Sequence, residues 1–323
     1  MDPLTHVVVG RALVAAAARP DRPQTVALGA AAILGALSPD IDSVVAFAGW
    51  DRYLRVHQFG THSLLGAVVM AACTAGVIRL FHRGTSFAAL LGAATAGAIS
   101  HIALDLACGA LIAIAWPLSD RRFSVPLVAM ADPWLVGICA GGLLAFWRVR
   151  VPMRTAARLV LVTISVFLAF KAAMLAMALS RADIVPAVPG ALEARWGSLA
   201  EWTVYGRSAD TVRSVRISSS GAPSVVVMTQ AIESASPFVG PSHELETVRN
   251  FLAAHDFAFP VVEPEGLDRT SVLWSDLRYC GPASTPNLVS CAVWAGGVFD
   301  RSGRALTQEV KVGRLVQTRR PPG

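Results

Sequence analysis

Histidine and aspartate stand four residues apart in His101-Ile-Ala-Leu-Asp105. On a helix that spacing stacks imidazole and carboxylate on one face, where both can reach one cation. An ordinary His–Asp hydrogen bond near a helix end is the plainer alternative. Ser38-Pro39-Asp40-Ile41-Asp42 follows a very apolar stretch. Carboxylates beside a helix C-terminus repel its partial negative charge, and a bound cation would remove the conflict; a solvated Pro-Asp turn would also account for them. His57-Gln-Phe-Gly60-Thr61-His62-Ser63 opens another apolar segment, with Thr61 placed to cap it and hold His62 in the first turn. Asp2 and His6 begin the first apolar stretch, where a capping aspartate at a frayed end is the simpler account.

Imidazoles mixed with carboxylates, and no thiolates among them, suit Zn²⁺, Mn²⁺ or Fe²⁺ in a hydrolytic site. The expected ligands are His6, Asp40, His62, His101 and Asp105, around one or two ions, with Asp105 as the bridge and His6 on the second ion. Asp40 or Asp42 would be the general base for a metal-activated water. His57, Asp120, Arg121, Arg122 and Asp132 are further candidates as ligands or substrate contacts. The two arginines would suit an anionic headgroup, or form a snorkelling interfacial pair.

Such residues need elements that bring them together. The chain has 323 residues, of which 54% are hydrophobic and only 15% charged, with mean hydropathy +0.53. A soluble globule carries about 25% charged residues, so the deficit points to lipid. It is confined to the first part: up to Leu192 there is no glutamate, and Lys171 is the only lysine. Apolar segments run over 4–18, 25–37, 62–80, 86–106, 133–147 and 159–179. A span needs about 20 apolar residues, so the third, fourth and sixth qualify while the others are short. Dense small residues suit close helix contact in lipid.

If each segment crosses the bundle once, His6, Asp40, Asp42, His57, His62, His101, Asp105 and Asp132 all fall at one end. The other end collects Arg19, Arg22, Arg79, Arg83, Arg148, Arg150, Arg154 and Arg158, against Arg52, Arg55, Arg121 and Arg122 at the His/Asp end. By the positive-inside rule the arginine end is cytoplasmic, and the site and C-terminal domain face outward from a bacterial inner membrane. The net charge of +6 is therefore a topology signal and not a nucleic-acid footprint. Asp2 and His6 stand where a signal peptide would be positive.

The expected fold is a mainly α membrane bundle of about six helices over residues 1–182, a linker at 183–190, and a small α+β soluble domain over 191–323. In that domain, 212–217 and 224–228 read as a hairpin, 242–257 as an amphipathic helix, and 291–299 and 306–312 as a second hairpin. Cys280 and Cys291 are either a staple in an oxidising compartment or a reduced pair. Cys73, Cys108 and Cys139 read as packing residues.

Met1-Asp-Pro-Leu-Thr-His6, Leu37-Ser-Pro-Asp-Ile-Asp42, Gly60-Thr-His-Ser63, His101-Ile-Ala-Leu-Asp105 and Trp116-Pro-Leu-Ser-Asp-Arg-Arg-Phe123 together resemble the YdjM-like family of membrane-bound metal-dependent hydrolases. Asp132-Pro-Trp134 and Trp274-Ser-Asp-Leu-Arg278 also fit it. The ordered series His, Asp, His, His-x-x-x-Asp is further similar to the zinc-dependent phospholipase C and nuclease superfamily. That resemblance implies helical architecture, up to three zinc ions and phosphoester hydrolysis. Carried over by motif, Asp40, His62, His101 and Asp105 hold one ion, with His6 and Asp105 on another. Two departures matter: His57-Gln58-Phe59-Gly60 replaces the family's histidine, arginine, glycine run, and the membrane part has no His-x-x-x-Glu. A mono- or dinuclear site follows.

The expected activity is hydrolysis of a phosphoester, on a small-molecule or lipid-linked substrate, with membrane lipid as the surroundings. A non-catalytic protein with a structural metal is the alternative. An ion transporter is the third, weakened because the cluster lies at one end of the bundle and not at its midplane.

Overall fold

A computed structural model describes residues 1–17, 26–148, 151–182, 190–232, 236–280 and 291–321. The chain divides into two compact units, one of residues 1–41, 58–202 and 217–223, the other of residues 42–57, 203–216 and 224–323. Apart from Gly190, the linker read at 183–190 lies outside the described residues, and so do Arg19, Arg22 and Arg150.

The first unit is helical. Its helices are α1 (Pro3–Ala17), α2 (Val26–Leu37), α4 (Leu64–Phe81), α5 (Phe87–Ala107), α6 (Pro133–Arg148) and α7 (Met153–Arg181), with α3 (Trp50–Val56) belonging to the second unit. Among the described residues, four stretches are long and apolar enough to cross a membrane: Val26–Phe47, Leu64–Phe81, Phe87–Ala107 and Met153–Arg181. The first of these exceeds its expected length because the chain does not turn at Ser38-Pro39. It continues as a 3₁₀ helix, Ser38–Phe47. Pro39 falls in the opening turn of that helix, where a missing N–H costs nothing. Pro3–Ala17 and Pro133–Arg148 remain shorter apolar helices.

Small residues hold α2 against α1 and α5. A Cβ on Gly35 would lie 2.3 Å from the Ala94 carbonyl oxygen, and one on Gly97 would lie 2.2 Å from that of Ala32. Ala31, Ala32, Ala36, Ala94 and Ala98 are fully buried along the same seam. In lipid, apolar burial does not drive helices together, so close van der Waals contact must. This seam fixes the rotation of α5 against α2 and, with it, the direction of His101.

After α7, β1 (Leu192–Ala194) and the start of β2 (Glu201–Arg207) stay with the first unit. Lys171, fully buried in α7, donates to the carbonyl oxygens of Ser198 at 2.9 Å and Leu199 at 3.4 Å. Its ammonium lies 4.3 Å from the centre of the buried Trp202 ring.

The strands form two antiparallel sheets. One has the order β1-β2-β3-β4, with β3 (Thr211–Ser218) and β4 (Val225–Ala231) as the expected hairpin. The other is a meander of β5 (Ala258–Glu265), β6 (Arg269–Asp276), β7 (Val293–Asp300), β8 (Ala305–Val312) and β9 (Leu315–Arg319). The region holds more strands than sequence patterning suggested, and the expected helix is shorter, split into α8 (Val239–Ser242) and α9 (Glu246–Ala254). Pro260 and Pro264 hide β5 from a sequence reading. They are tolerated because β5 is an edge strand, paired only with β6. Val248 and Phe251 of α9 pack on Val272, Trp274, Ala295 and Phe299 to form the core. A disulfide joins Cys280 and Cys291.

Candidate metal centre

His101 and Asp105 occupy the last two turns of α5, both buried, with Nε2 3.2 Å from Asp105 Oδ2. The Nδ1–H of His101 donates to the Ala36 carbonyl oxygen at 2.7 Å. That bond fixes the tautomer and turns Nε2 inward, which is the usual way a protein presents a ligating imidazole. The α5 C-terminus is closed by Gly109, at φ +87°, and by N–H groups of Val125, Leu127 and Val128 on the last carbonyls.

His62 comes from the 3₁₀ turn Gly60–His62 and not from α4 itself. Ser63, not Thr61, caps α4: its Oγ accepts from the Gly66 N–H at 2.9 Å and donates to the Gly60 carbonyl at 2.8 Å. Gly66 is required there, because a Cβ would fall 1.9 Å from the Gly60 oxygen. Thr61 instead places its hydroxyl 3.1 Å from His62 Nδ1. The helix-capping role read for Thr61 is therefore corrected to a contact with the histidine ring.

Asp40, from the 3₁₀ continuation of α2, completes the group. Its Oδ1 lies 3.4 Å from His62 Nε2 and 3.5 Å from His101 Nε2. The two Nε2 atoms are 3.3 Å apart, and His62 Nε2 is 3.7 Å from Asp105 Oδ2. One ligand atom from each of Asp40, His62, His101 and Asp105 lies within 4.8 Å of the others. Bonds of about 2.0–2.2 Å to a tetrahedral ion give ligand–ligand separations of roughly 3.3–3.6 Å, which is the spacing these atoms have. Two imidazoles and two carboxylates arranged this way can hold a metal ion.

His6 stacks on His101, with ring centroids 4.0 Å apart. Its Nε2 approaches Asp105 Oδ1 at 3.2 Å but out of hydrogen-bond alignment, and both ring nitrogens are buried without a hydrogen-bond partner. A buried, unsatisfied imidazole is costly unless something else engages it. Asp105 Oδ1 also lies 2.5 Å from the Met1 α-amino nitrogen. Asp2 caps α1, accepting from the Thr5 N–H at 2.9 Å and the Thr5 hydroxyl at 2.7 Å.

The other candidates sit elsewhere. Asp42 falls in the second unit, paired with His57, whose Nδ1 lies 3.0 Å from both carboxylate oxygens. Asp132 is a helix cap: its Oδ1 accepts from the N–H groups of Trp134 and Leu135 at 3.0 and 3.3 Å. Asp120 and Arg121 are exposed, and the Arg122 guanidinium lies 4.4 Å from the centre of the Phe59 ring. The Ala36 carbonyl has no sequence signal, since any residue supplies one.

A family model described as YdjM inner membrane protein matches residues 1–178, the stretch that carries every side chain of the cluster. No curated protein and no solved structure matches the chain.

Proposed function

The chain belongs to the YdjM inner membrane protein family, and from that premise we propose that it is a membrane-bound, metal-dependent hydrolase of a phosphoester, one carried on a lipid. The observation that carries the reading is the convergence of Asp40, His62, His101 and Asp105 within 4.8 Å. Zinc fits the donor set first, with manganese or iron as the other choices, in one or two ions. A divalent ion bound there would supply Lewis acidity and a water acidic enough to attack near neutral pH.

The chain's own residues divide the remaining work. His62, His101 and Asp105 are buried and hold their ligand atoms rigidly, while His6 is assigned to a second ion on the Oδ1 side of Asp105. Asp40 is the open side, its side chain 38% exposed. With Oδ1 in the cluster, Oδ2 of Asp40 is the atom assigned to take the proton as general base. Asp42, the other candidate base, is engaged by His57. Arg121 and Arg122 would face the anionic headgroup. Asp40, His101 and Asp105 lie in apolar spans, which favours a substrate delivered from lipid. We place the site and the C-terminal domain on the outer side; the arginine bias and the Cys280–Cys291 disulfide support that orientation.

Metal analysis of the purified full chain against His101→Ala and Asp105→Ala is the first test. Bound metal in the wild type and its loss in both variants is expected; equal content in all three removes the reading. Chromogenic phosphodiester and phosphomonoester assays with added Zn²⁺ or Mn²⁺ follow, and activity that survives His62→Ala overturns the mechanism. A cysteine at Ser302 labelled only from the cytoplasmic side reverses the orientation. Near-complete burial of three ligands favours one rival, a structural ion that ties the helices together. Metal content with no turnover on any phosphoester would select it.

A further inference from the structure

The chain between Ala110 and Val125 has a pinned base and a bare tip. At the base, Ile112 and Phe123 exchange backbone hydrogen bonds, each of 2.9 Å. The Ala113 N–H donates to the Gln58 carbonyl at 3.2 Å, the Leu64 N–H to the Ile114 carbonyl at 3.0 Å, and the Ala110 N–H to the Asp105 carbonyl at 3.0 Å. Ile112 and Ala113 are fully buried. The base is thus stitched to the turn that carries His62 and to the end of α5 that carries Asp105.

The tip is the reverse. Leu118 is 93% exposed and Trp116 39%, an arrangement that exposes large apolar area to water without return. Its backbone is nevertheless satisfied from within: the N–H groups of Trp116, Leu118 and Ser119 donate to the carbonyls of Ala113, Ala115 and Ala115, and that of Arg121 to Ser119 Oγ. Apolar side chains on a self-satisfied turn meet the requirement for entering lipid. Charge follows at once, in Asp120, Arg121 and Arg122. A basic side chain two or three residues behind a leucine can reach the phosphate layer while the leucine lies deeper. The base also continues directly from Ala107, the last residue of a membrane-capable helix, so the tip starts from the membrane boundary.

We infer that residues 115–122 form an interfacial flap whose occupant is the lipid leaflet at the His/Asp end: Leu118 and Trp116 lie below the headgroups and Arg121 lies at the phosphates. The inference does not need the chain to be a hydrolase. The test uses the full chain in phospholipid nanodiscs with Cys73 replaced by alanine, carrying a nitroxide at Leu118→Cys or at Arg121→Cys. Val69→Cys, on the exposed face of α4, and Arg83→Cys, in the exposed loop after it, serve as lipid and water references. Collisions with oxygen should dominate those with a water-soluble nickel complex at 118, as at 69. Residue 121 should fall between 118 and 83. Nickel dominance at 118 overturns the inference. Shielding of 118 from both agents also overturns it, because protein, either a second copy or another part of the chain, would then cover the tip. Leu118 is bare, so its replacement leaves the core intact.

Discussion

His101 and His255 begin alike and end in opposite situations. Each is buried, and each donates Nδ1–H to a backbone carbonyl at 2.7 Å, His101 to Ala36 and His255 to Phe251. The other edge of His255 is closed by rings: Phe251 stacks on it at 4.0 Å and Tyr279 meets it edge-on at 5.6 Å. The carboxylate nearby, Asp276, is held by Arg278 through Nε–Oδ1 at 3.0 Å and a terminal nitrogen to Oδ2 at 2.9 Å. In the helical unit, Nε2 of His101 instead faces His62, Asp40 and Asp105, and no arginine or lysine side chain pairs with Asp105 among the described residues. A permanent guanidinium makes the first group a closed structural unit. A set of imidazoles around carboxylates leaves the second able to take an exchangeable cation.

Removal of a ligand should separate the two groups most sharply. His101→Ala is expected to abolish metal binding, while His255→Phe leaves metal content at the wild-type level; loss of metal in both would mean that the groups are not independent. Next, Arg278→Met should destabilise the second unit by about 3–5 kcal/mol, because it leaves the Asp276 charge buried and unpaired. Denaturant unfolding of the full chain reads that loss, again at unchanged metal content.

Acid should then act on the closed group. Burial pushes His255 down to about 4, with the nearby Arg278 charge in the same direction and Asp276 opposing. The unfolded chain therefore binds more protons than the folded one between pH 6.5 and 4. Stability is full above pH 6.5 and is lost as pH falls through that window, by roughly 3 kcal/mol. Burial works against ionisation of Asp276 too, but Arg278 outweighs it and holds the carboxyl below its usual range. Its contribution is lost only at more acidic pH, below the ordinary carboxylate value. The difference between wild type and His255→Phe should accordingly vanish near pH 4, and an unchanging difference would contradict the assignment. The smallest effect is expected from Thr61→Val, which removes the hydroxyl beside His62 Nδ1. Metal affinity should fall about tenfold, as for other groups that orient a ligand, and no change would reduce Thr61 to a bystander.

Much of the helical unit was readable because apolar stretches in lipid have few alternatives to being helices. The six segments correspond to α1, α2, α4, α5, α6 and α7. The second unit was harder: β5 carries two prolines, and β2 and β6 lack a clear alternation. Asp132-Pro133 carried its own signal, since aspartate before proline is the ordinary start of a helix, and that is where Asp132 is used.

The sequence alone determined which ends of the helices carry the histidines and aspartates, because a chain that crosses a bilayer alternates ends at each pass. It could not choose between Asp40 and Asp42. On a 3₁₀ helix with three residues per turn, positions two apart point about 120° away from each other, so only one of them can meet His62 and His101. That choice, and the pairing of Ala36 with His101, came from the depth to which α2 and α5 approach at Gly35 and Gly97. It is a property of packed backbones, and no single side chain announces it.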